Sequence, residues 1–150
     1  MKIKFLALTM MLIISNIVSA KAPKYVFYFI GDGMGMGHVM AAQSYNREVL
    51  KSEKPLLMMQ FPVASMVATY SASGRVTDSA AAGTALSTGY KTNNGMLGVT
   101  PDTVPVKSVA QYLKNAGWGI GIITTVAPDD ATPGAFYANQ PSSLLKNDHS

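Results

Sequence analysis

Three short apolar runs alternate with segments of helical periodicity along the chain. The runs cover residues 25–30 (YVFYFI), 63–70 (VASMVATY) and 119–126 (GIGIITTV). Apolar runs of this length, rich in aromatic and β-branched residues and bounded by turn residues, are typical of strands buried on both faces of a parallel sheet. The pattern therefore predicts three buried strands.

Helical spacing predicts helices over residues 38–50, 78–87 and 106–115, and Gly117 is well placed to end the last of these. Apolar positions on the first and third helices are expected to pack: Val39, Met40, Ala42, Tyr45, Val106, Val109, Ala110 and Leu113. Strands that alternate with helices in this way predict an α/β domain with a largely parallel sheet.

The connections between these elements also carry information. Residues 71–75 are predicted to form a loop, and residues 89–103 (GYKTNNGMLGVTPDT) a long one that is rich in Gly, Asn, Pro and Asp. Long loops within compact domains are often functional. In open α/β sheets, ligands bind beyond the carboxyl ends of the strands, so residues that follow the strands are the first candidates for a site.

Acidic and hydroxyl side chains follow all three predicted strands. Asp32 follows the first, Ser79 lies just past the second, and Asp129, Asp130 and Thr132 follow the third. Since the carboxyl ends of parallel strands meet at one edge of a sheet, we expect these side chains to converge there.

The glycine-rich stretch GDGMGMG over residues 31–37 is not a nucleotide-binding motif. The G-x-G-x-x-G spacing fails in every frame, and no Gly-Lys-Ser/Thr follows that would make a P-loop. One interpretation is a turn in which Asp32 bonds backbone amides. The other is a carboxylate ligand for a cation, which Gly31 and Gly33 allow the backbone to approach closely.

The stretch VTDSAAAGTA over residues 76–85 allows two interpretations of Ser79. Thr77 or Asp78 can cap a helix whose first turn contains Ser79, which is the whole role of most Asp-Ser pairs. Alternatively, the helix N-terminus binds a phosphate while Ser79 attacks it. After residue 20 the only histidines are His38 and His149, so no imidazole base is evident, and a metal ion could replace one.

The third stretch, DDATPG, groups three oxygen ligands. Asp129, Asp130 and Thr132 suit Mg²⁺, which takes few protein oxygens and keeps several waters. An N-cap followed by Pro133 at the first helical position explains the same residues without a metal. The two interpretations are compatible.

The first twenty residues have the layout of a secretory signal peptide: a basic start, an apolar run and small residues before Lys21. The run is shorter than the roughly 20 residues of a membrane span. Without Lys2 and Lys4, the ten remaining basic residues exceed the eight acidic ones by two, which is weak support for nucleic-acid binding. The chain has no cysteine, so packing or metal ions must stabilise an exported form.

Three motifs in this order, YFIGDGMG, VTDSAAAGTALSTGYKTNNGMLGV and DDATPGAF, resemble the alkaline phosphatases. The likeness covers about residues 24–139, and the middle motif is the most specific. The resemblance implies a three-layer α/β/α fold and a metal-dependent phosphomonoesterase that acts by double displacement through a phosphoserine. The implied cofactors are two Zn²⁺ ions and one Mg²⁺ ion, and the implied substrates are small phosphomonoesters.

The resemblance also implies roles for five residues. Ser79 matches the nucleophile, and Asp78 the acid beside it that helps orient a phosphate-binding arginine. Asp32 matches a carboxylate shared between zinc and magnesium, Thr132 a direct magnesium ligand, and Asp130 a residue that supports magnesium through water.

Some family features have no counterpart among these 150 residues. No arginine follows Arg75, the likeness ends near Ser143, and residues 143–150 are an unmatched tail. We therefore expect residues 21–150 to be the N-terminal portion of a catalytic domain, with an incomplete sheet and little activity alone. The alternatives are a non-catalytic metal- or phosphate-binding fragment and a related phosphodiesterase or sulfatase. An exported, periplasmic or extracellular protein is expected, with no nucleic-acid partner, no membrane span after signal cleavage, and a possible homodimer.

Overall fold

The computed structural model describes residues 23–142. The predicted signal peptide, residues 1–20, and the predicted tail, residues 143–150, lie outside the described residues. The chain divides between Gly31 and Asp32 into two units. None of the helices between residues 23 and 142 combines the length and hydropathy that a membrane span requires.

Four α-helices and one short 3-10 helix, all in the second unit, make up the regular structure of the described residues. The α-helices are α1 (Met36–Glu48), α2 (Ser79–Thr88), α3 (Val109–Asn115) and α4 (Ala131–Gly134), and the 3-10 helix is Leu57–Gln60. The three helices predicted from the sequence are confirmed as α1, α2 and α3, with ends displaced by no more than three residues.

The helix ends follow the capping chemistry of their sequences. Ser108 caps α3 by accepting a hydrogen bond from Gln111 N, and the Gln111 side chain accepts one in return from Ser108 N. This reciprocal pair satisfies two amides at once, which is why α3 begins at Val109 and not at Val106. Gly89 ends α2 in the left-handed conformation, with φ of 79°, which glycine adopts without a steric penalty.

The sheet predicted from the apolar runs is not present among residues 23–142. Residues 25–30, 63–70 and 119–126 are not in β-strands, and most of their side chains are exposed. The prediction that these runs are buried is therefore wrong for this structure. An apolar run shows that a segment is suited to burial, but a strand forms only where a neighbouring strand supplies the hydrogen-bond ladder.

A related correction applies to α1. The helix contains no buried residue, and Met40, Ala42 and Tyr45, which were expected to pack, are exposed. Its regular form rests on intrahelical hydrogen bonds and on its ends, where Gly35 N donates to His38 Nδ1 at 3.2 Å and Val49 N donates to Tyr45 O at 2.9 Å.

The buried core surrounds α2. Within residues 23–142, the buried apolar side chains are Ala80, Ala81, Leu97, Val99 and Ala135. Helix α2 contacts α4 and α3. The segment that follows α2 forms two isolated antiparallel bridges, Leu97 with Gln140 and Val99 with Pro105. The predicted loop 89–103 is thus irregular, as expected, but its middle is buried.

Small residues and hydroxyl groups allow this close packing. A Cβ atom on Gly83 would lie 2.9 Å from the Cβ of Ala135, so glycine lets α2 approach the segment after α4. The buried Ser87 hydroxyl donates to Ala135 O at 2.7 Å. Buried polar groups of this kind stabilise a fold only when they have partners, and no buried side-chain polar atom of the described residues lacks one.

Candidate functional site

One carboxylate oxygen joins three distant parts of the second unit. Asp32 Oδ2 accepts a hydrogen bond from Ser79 Oγ at 2.9 Å and another from Thr132 Oγ1 at 2.8 Å. Ser79 lies 47 residues from Asp32 in sequence, and Thr132 lies 100 residues from it. The structure therefore brings together three of the five residues for which the sequence suggested a role.

Each of the three side chains has a defined position. Ser79 is the first residue of α2 and Thr132 is in the only turn of α4. The two helices pack through Ala80, Ala131 and Ala135, whose small side chains let both hydroxyls reach the same oxygen. Asp32 itself is exposed, while the two hydroxyl residues are partly buried.

Asp78 occupies the N-cap of α2. Its Oδ1 accepts a hydrogen bond from Ala81 N at 2.8 Å, and its Oδ2 accepts one from Gly95 N at 2.6 Å. The capping interpretation of the sequence therefore describes Asp78, while Ser79 lies one residue inside the helix.

Asp130 is the N-cap of α4, and its Oδ1 accepts a hydrogen bond from Ala131 N at 2.9 Å. Pro133, in the same short helix, is buried. The stretch therefore has an N-cap, as the sequence suggested, but the prediction that Pro133 is the first helical residue is wrong, because the helix begins at Ala131 and Pro133 is its third residue. Asp129 is exposed and precedes the cap.

The groups that meet at this point could bind a metal ion only through oxygen: they are the carboxylate of Asp32 and the hydroxyls of Ser79 and Thr132. Oxygen ligands suit Mg²⁺, so this group fits part of a magnesium set, with Asp130 close by in sequence. Zinc sites are built from nitrogen, sulfur and carboxylate ligands. Among residues 23–142, no group of three or more His, Cys, Asp or Glu side chains is arranged to hold a metal ion. The two zinc ions therefore stay an implication of the family resemblance.

Two residues next to this site were not singled out from the sequence. Asn94 Oδ1 accepts a hydrogen bond from Asp78 N at 3.3 Å, and the following residue, Gly95, donates to the Asp78 carboxylate. The signal that could have found them is the Asn-Gly pair itself, which marks a tight turn. Gly95 has φ of 81°, as such a turn requires.

Comparison with known proteins identifies the family. The family model for alkaline phosphatase matches residues 23–150. The tissue-nonspecific isozyme of alkaline phosphatase from Homo sapiens is 34% identical over 135 residues, which cover 81% of this chain and 26% of that protein. The chain thus spans about a quarter of the length of this relative.

Solved structures agree with the sequence comparison. A cold-active alkaline phosphatase from the psychrophile Shewanella sp. matches with a TM-score of 0.69 at 34% identity, over 77% of this chain and 30% of that one. A variant of the alkaline phosphatase from the Antarctic bacterium TAB5, with magnesium bound in its M3 site, matches with a TM-score of 0.61 at 34% identity, over 70% of this chain and 30% of that one. These neighbours have an α/β fold, of which the described residues do not form the sheet, and the chain belongs to the alkaline phosphatase family.

Proposed function

We propose that Ser79 is the nucleophile in the hydrolysis of phosphate monoesters, and that this chain contributes the nucleophile and part of the magnesium site to that reaction. The observation that carries the proposal is the Asp32 carboxylate, whose single oxygen accepts hydrogen bonds from both Ser79 and Thr132. A cap alone does not account for this arrangement, because Asp78 already caps α2.

The position of Ser79 suits attack on phosphorus. Its hydroxyl donates to Asp32, which directs the oxygen lone pairs away from the carboxylate. The N-terminus of α2 carries a partial positive charge and unpaired amides, which favour a phosphate group. In the transfer, the bond from Ser79 Oγ to phosphorus forms and the bond from phosphorus to the alcohol oxygen breaks. The serine proton passes to Asp32, and the alcohol oxygen takes a proton from a water molecule. The hydroxide left by that water then attacks the phosphoserine, phosphate is released, and the proton on Asp32 returns to Ser79.

Asp32 and Thr132 would hold a magnesium ion, with Asp130 supporting it through water. Such an ion supplies positive charge near the reacting oxygens, which lowers the pKa of a nearby hydroxyl and polarises a phosphoryl oxygen. Zinc remains a proposal from the family resemblance alone.

The proposed setting is an exported protein, periplasmic or extracellular, because of the predicted signal peptide. Small phosphomonoesters are the proposed substrates, and a homodimer is the proposed assembly. Because the sequence has no arginine after Arg75 and only two histidines, we expect this polypeptide on its own to turn over slowly or not at all.

Ser79→Ala tests the nucleophile. The chain is incubated with p-nitrophenyl phosphate, zinc and magnesium, and phosphoserine is located by peptide mass spectrometry, since a single transfer is enough to leave the label. We expect label on Ser79, its loss in Ser79→Ala, and its retention in Ser65→Ala, which changes an exposed serine outside the site. An unlabelled Ser79 would contradict the nucleophile. If calorimetry then detected binding of phosphate or magnesium, the non-catalytic alternative would be favoured.

A further inference from the structure

We propose that Asn94 is a positioning residue for Ser79: its side chain fixes the backbone of Asp78, and with it the start of α2. This inference rests on the proposed function, because it gives Asn94 a part in the reaction of Ser79. The hydrogen bonds of Asn94 go to Asp78, Val76 and Ser73 and not to Ser79 or Asp32, so Asn94 acts on Ser79 through Asp78.

Asn94 ties its loop to the segment that leads into α2. Its Oδ1 accepts a hydrogen bond from Asp78 N at 3.3 Å, and its Nδ2 donates to Val76 O at 3.0 Å. Its own backbone amide donates to Ser73 Oγ at 2.9 Å. The side-chain amide therefore bonds to the backbone on both sides of Thr77, where the chain enters the helix.

Gly95 completes the attachment from the next position. Its amide donates to Asp78 Oδ2 at 2.6 Å, with a backbone φ of 81° that favours glycine. The other oxygen of the same carboxylate accepts from Ala81 N inside α2. Asp78 is thus held through its main chain by Asn94, and through its carboxylate by Gly95 and the helix.

This double attachment has a direct consequence for Ser79. The first residues of a helix lack intrahelical partners for their amides and fray easily, yet Ser79 must keep its hydroxyl 2.9 Å from Asp32. Because Asp78 precedes Ser79, fixing Asp78 fixes the direction in which the serine side chain leaves the helix. In reactions of oriented groups, a misplacement of about 1 Å can lower the rate on the order of a hundredfold.

Asn94→Ala tests the attachment without any need for catalysis. Amide hydrogen exchange is measured by NMR on the full chain, and the Asp78 amide is expected to exchange at least about tenfold faster in the variant, since local opening sets the rate. The Gly98 amide, which donates to Thr84 Oγ1 at 2.9 Å in the core, should keep its protection and shows that the fold is retained. Asn93→Ala is the matched control, because Asn93 Nδ2 donates to Pro101 O and not towards α2.

Asn94→Asp separates the two side-chain bonds. It keeps an oxygen for the Asp78 amide but loses the donor to Val76 O, so protection of Asp78 N should be largely retained. If Asn94→Ala leaves the exchange of Asp78 N unchanged while Gly98 N stays protected, the proposal is overturned. Should Gly98 N lose its protection in Asn94→Ala, the comparison of Asn94→Asp with wild type decides instead, and loss of Asp78 protection there counts against the acceptor role.

The functional consequence is measured as the rate of phosphoserine formation at Ser79 against substrate concentration. A positioning role predicts a fall of roughly tenfold or more in the maximal rate in Asn94→Ala, with half-saturation changed less than about twofold, because uniform binding is not removed. An equal maximal rate overturns the proposal. If wild type forms no phosphoserine, the proposed function fails, while the exchange experiment still decides whether Asn94 holds the start of α2.

Discussion

Two parts of this chain have apolar sequences and opposite burial. The α2 core, defined as α2 with residues 92–99 and 131–140, contains most of the buried residues among those described. The apolar segments, defined as residues 25–30, 63–70 and 119–126, are the runs predicted to form buried strands, yet their side chains are largely exposed. Hydrophobicity alone therefore does not determine which part of the chain is packed.

The difference lies in how each part satisfies its backbone. A helix makes its hydrogen bonds within itself, and the α2 core adds side-chain hydroxyls that bond to nearby carbonyls, such as Ser87 to Ala135 O. A strand needs a neighbour for every backbone group on its edge. The α2 core is therefore complete with the residues it has, while the apolar segments carry surface suited to a sheet that the described residues do not form.

The sharpest way to break the α2 core is Gly98→Ala. Gly98 has φ of 60°, and a Cβ there would overlap the carbonyl oxygen of Ala138 and lie 2.7 Å from Asn139 Nδ2. Left-handed strain and overpacking together should lower the free energy of unfolding by about 3 kcal/mol. Urea unfolding followed by circular dichroism measures the change.

The matched control is Gly119→Ala in one of the apolar segments. A Cβ on Gly119 meets nothing within 4 Å, so the free energy of unfolding should change by no more than about 0.5 kcal/mol. Equal effects of the two substitutions would show that the α2 core is not the more tightly packed region.

Thr84→Val should have the next largest effect. Thr84 is fully buried; its hydroxyl donates to Met96 O at 3.3 Å and accepts from Gly98 N at 2.9 Å. Valine keeps the shape but leaves the Gly98 amide and the Met96 carbonyl without this partner. Each buried group left unsatisfied costs about 1–3 kcal/mol, and we expect a loss of about 2 kcal/mol in the free energy of unfolding.

The control for this substitution is Thr125→Val, which makes the same chemical change at an exposed position of an apolar segment. Its effect should lie within about 0.5 kcal/mol. A stable Thr84→Val variant would show that hydroxyl bonding contributes little to the α2 core, and that apolar contact alone holds α2 against the loop after it.

The sequence predicts local structure well and the sheet poorly. Helices α1, α2 and α3 follow from periodicity and capping residues such as Ser108, because these signals act within a few residues of one another. The predicted burial of residues 25–30, 63–70 and 119–126 is not found in the structure, because a strand depends on partners distant in sequence. The buried middle of the loop, at Leu97 and Val99, was missed because its bridges to Gln140 and Pro105 are not periodic.

The candidate site shows the same division. Asp32, Ser79 and Thr132 were each marked by local context, and their predicted convergence at one site is what the hydrogen bonds to Asp32 Oδ2 describe. Their chemical roles remain proposals. The attachment of Asp78 by Asn94 and Gly95 was not predicted, because only the folded chain brings residues 78 and 94 together.

The smallest expected effect on stability, and the sharpest contrast with the α2 core, comes from placing charges on the apolar segments. Ile123 is 100% exposed and Met66 is 98% exposed, so the double variant Met66→Lys/Ile123→Lys should change the free energy of unfolding by less than about 0.5 kcal/mol. Exposed apolar surface promotes self-association, and wild type is expected to aggregate. In analytical sedimentation the variant should therefore show a larger monomer fraction than wild type.

The control variant Ser65→Lys/Thr125→Lys adds the same charge at exposed positions without removing apolar surface, and should increase the monomer fraction less. A loss of stability above about 1 kcal/mol would mean that these side chains are buried in solution, because a lysine on a truly exposed site has no packing to disrupt.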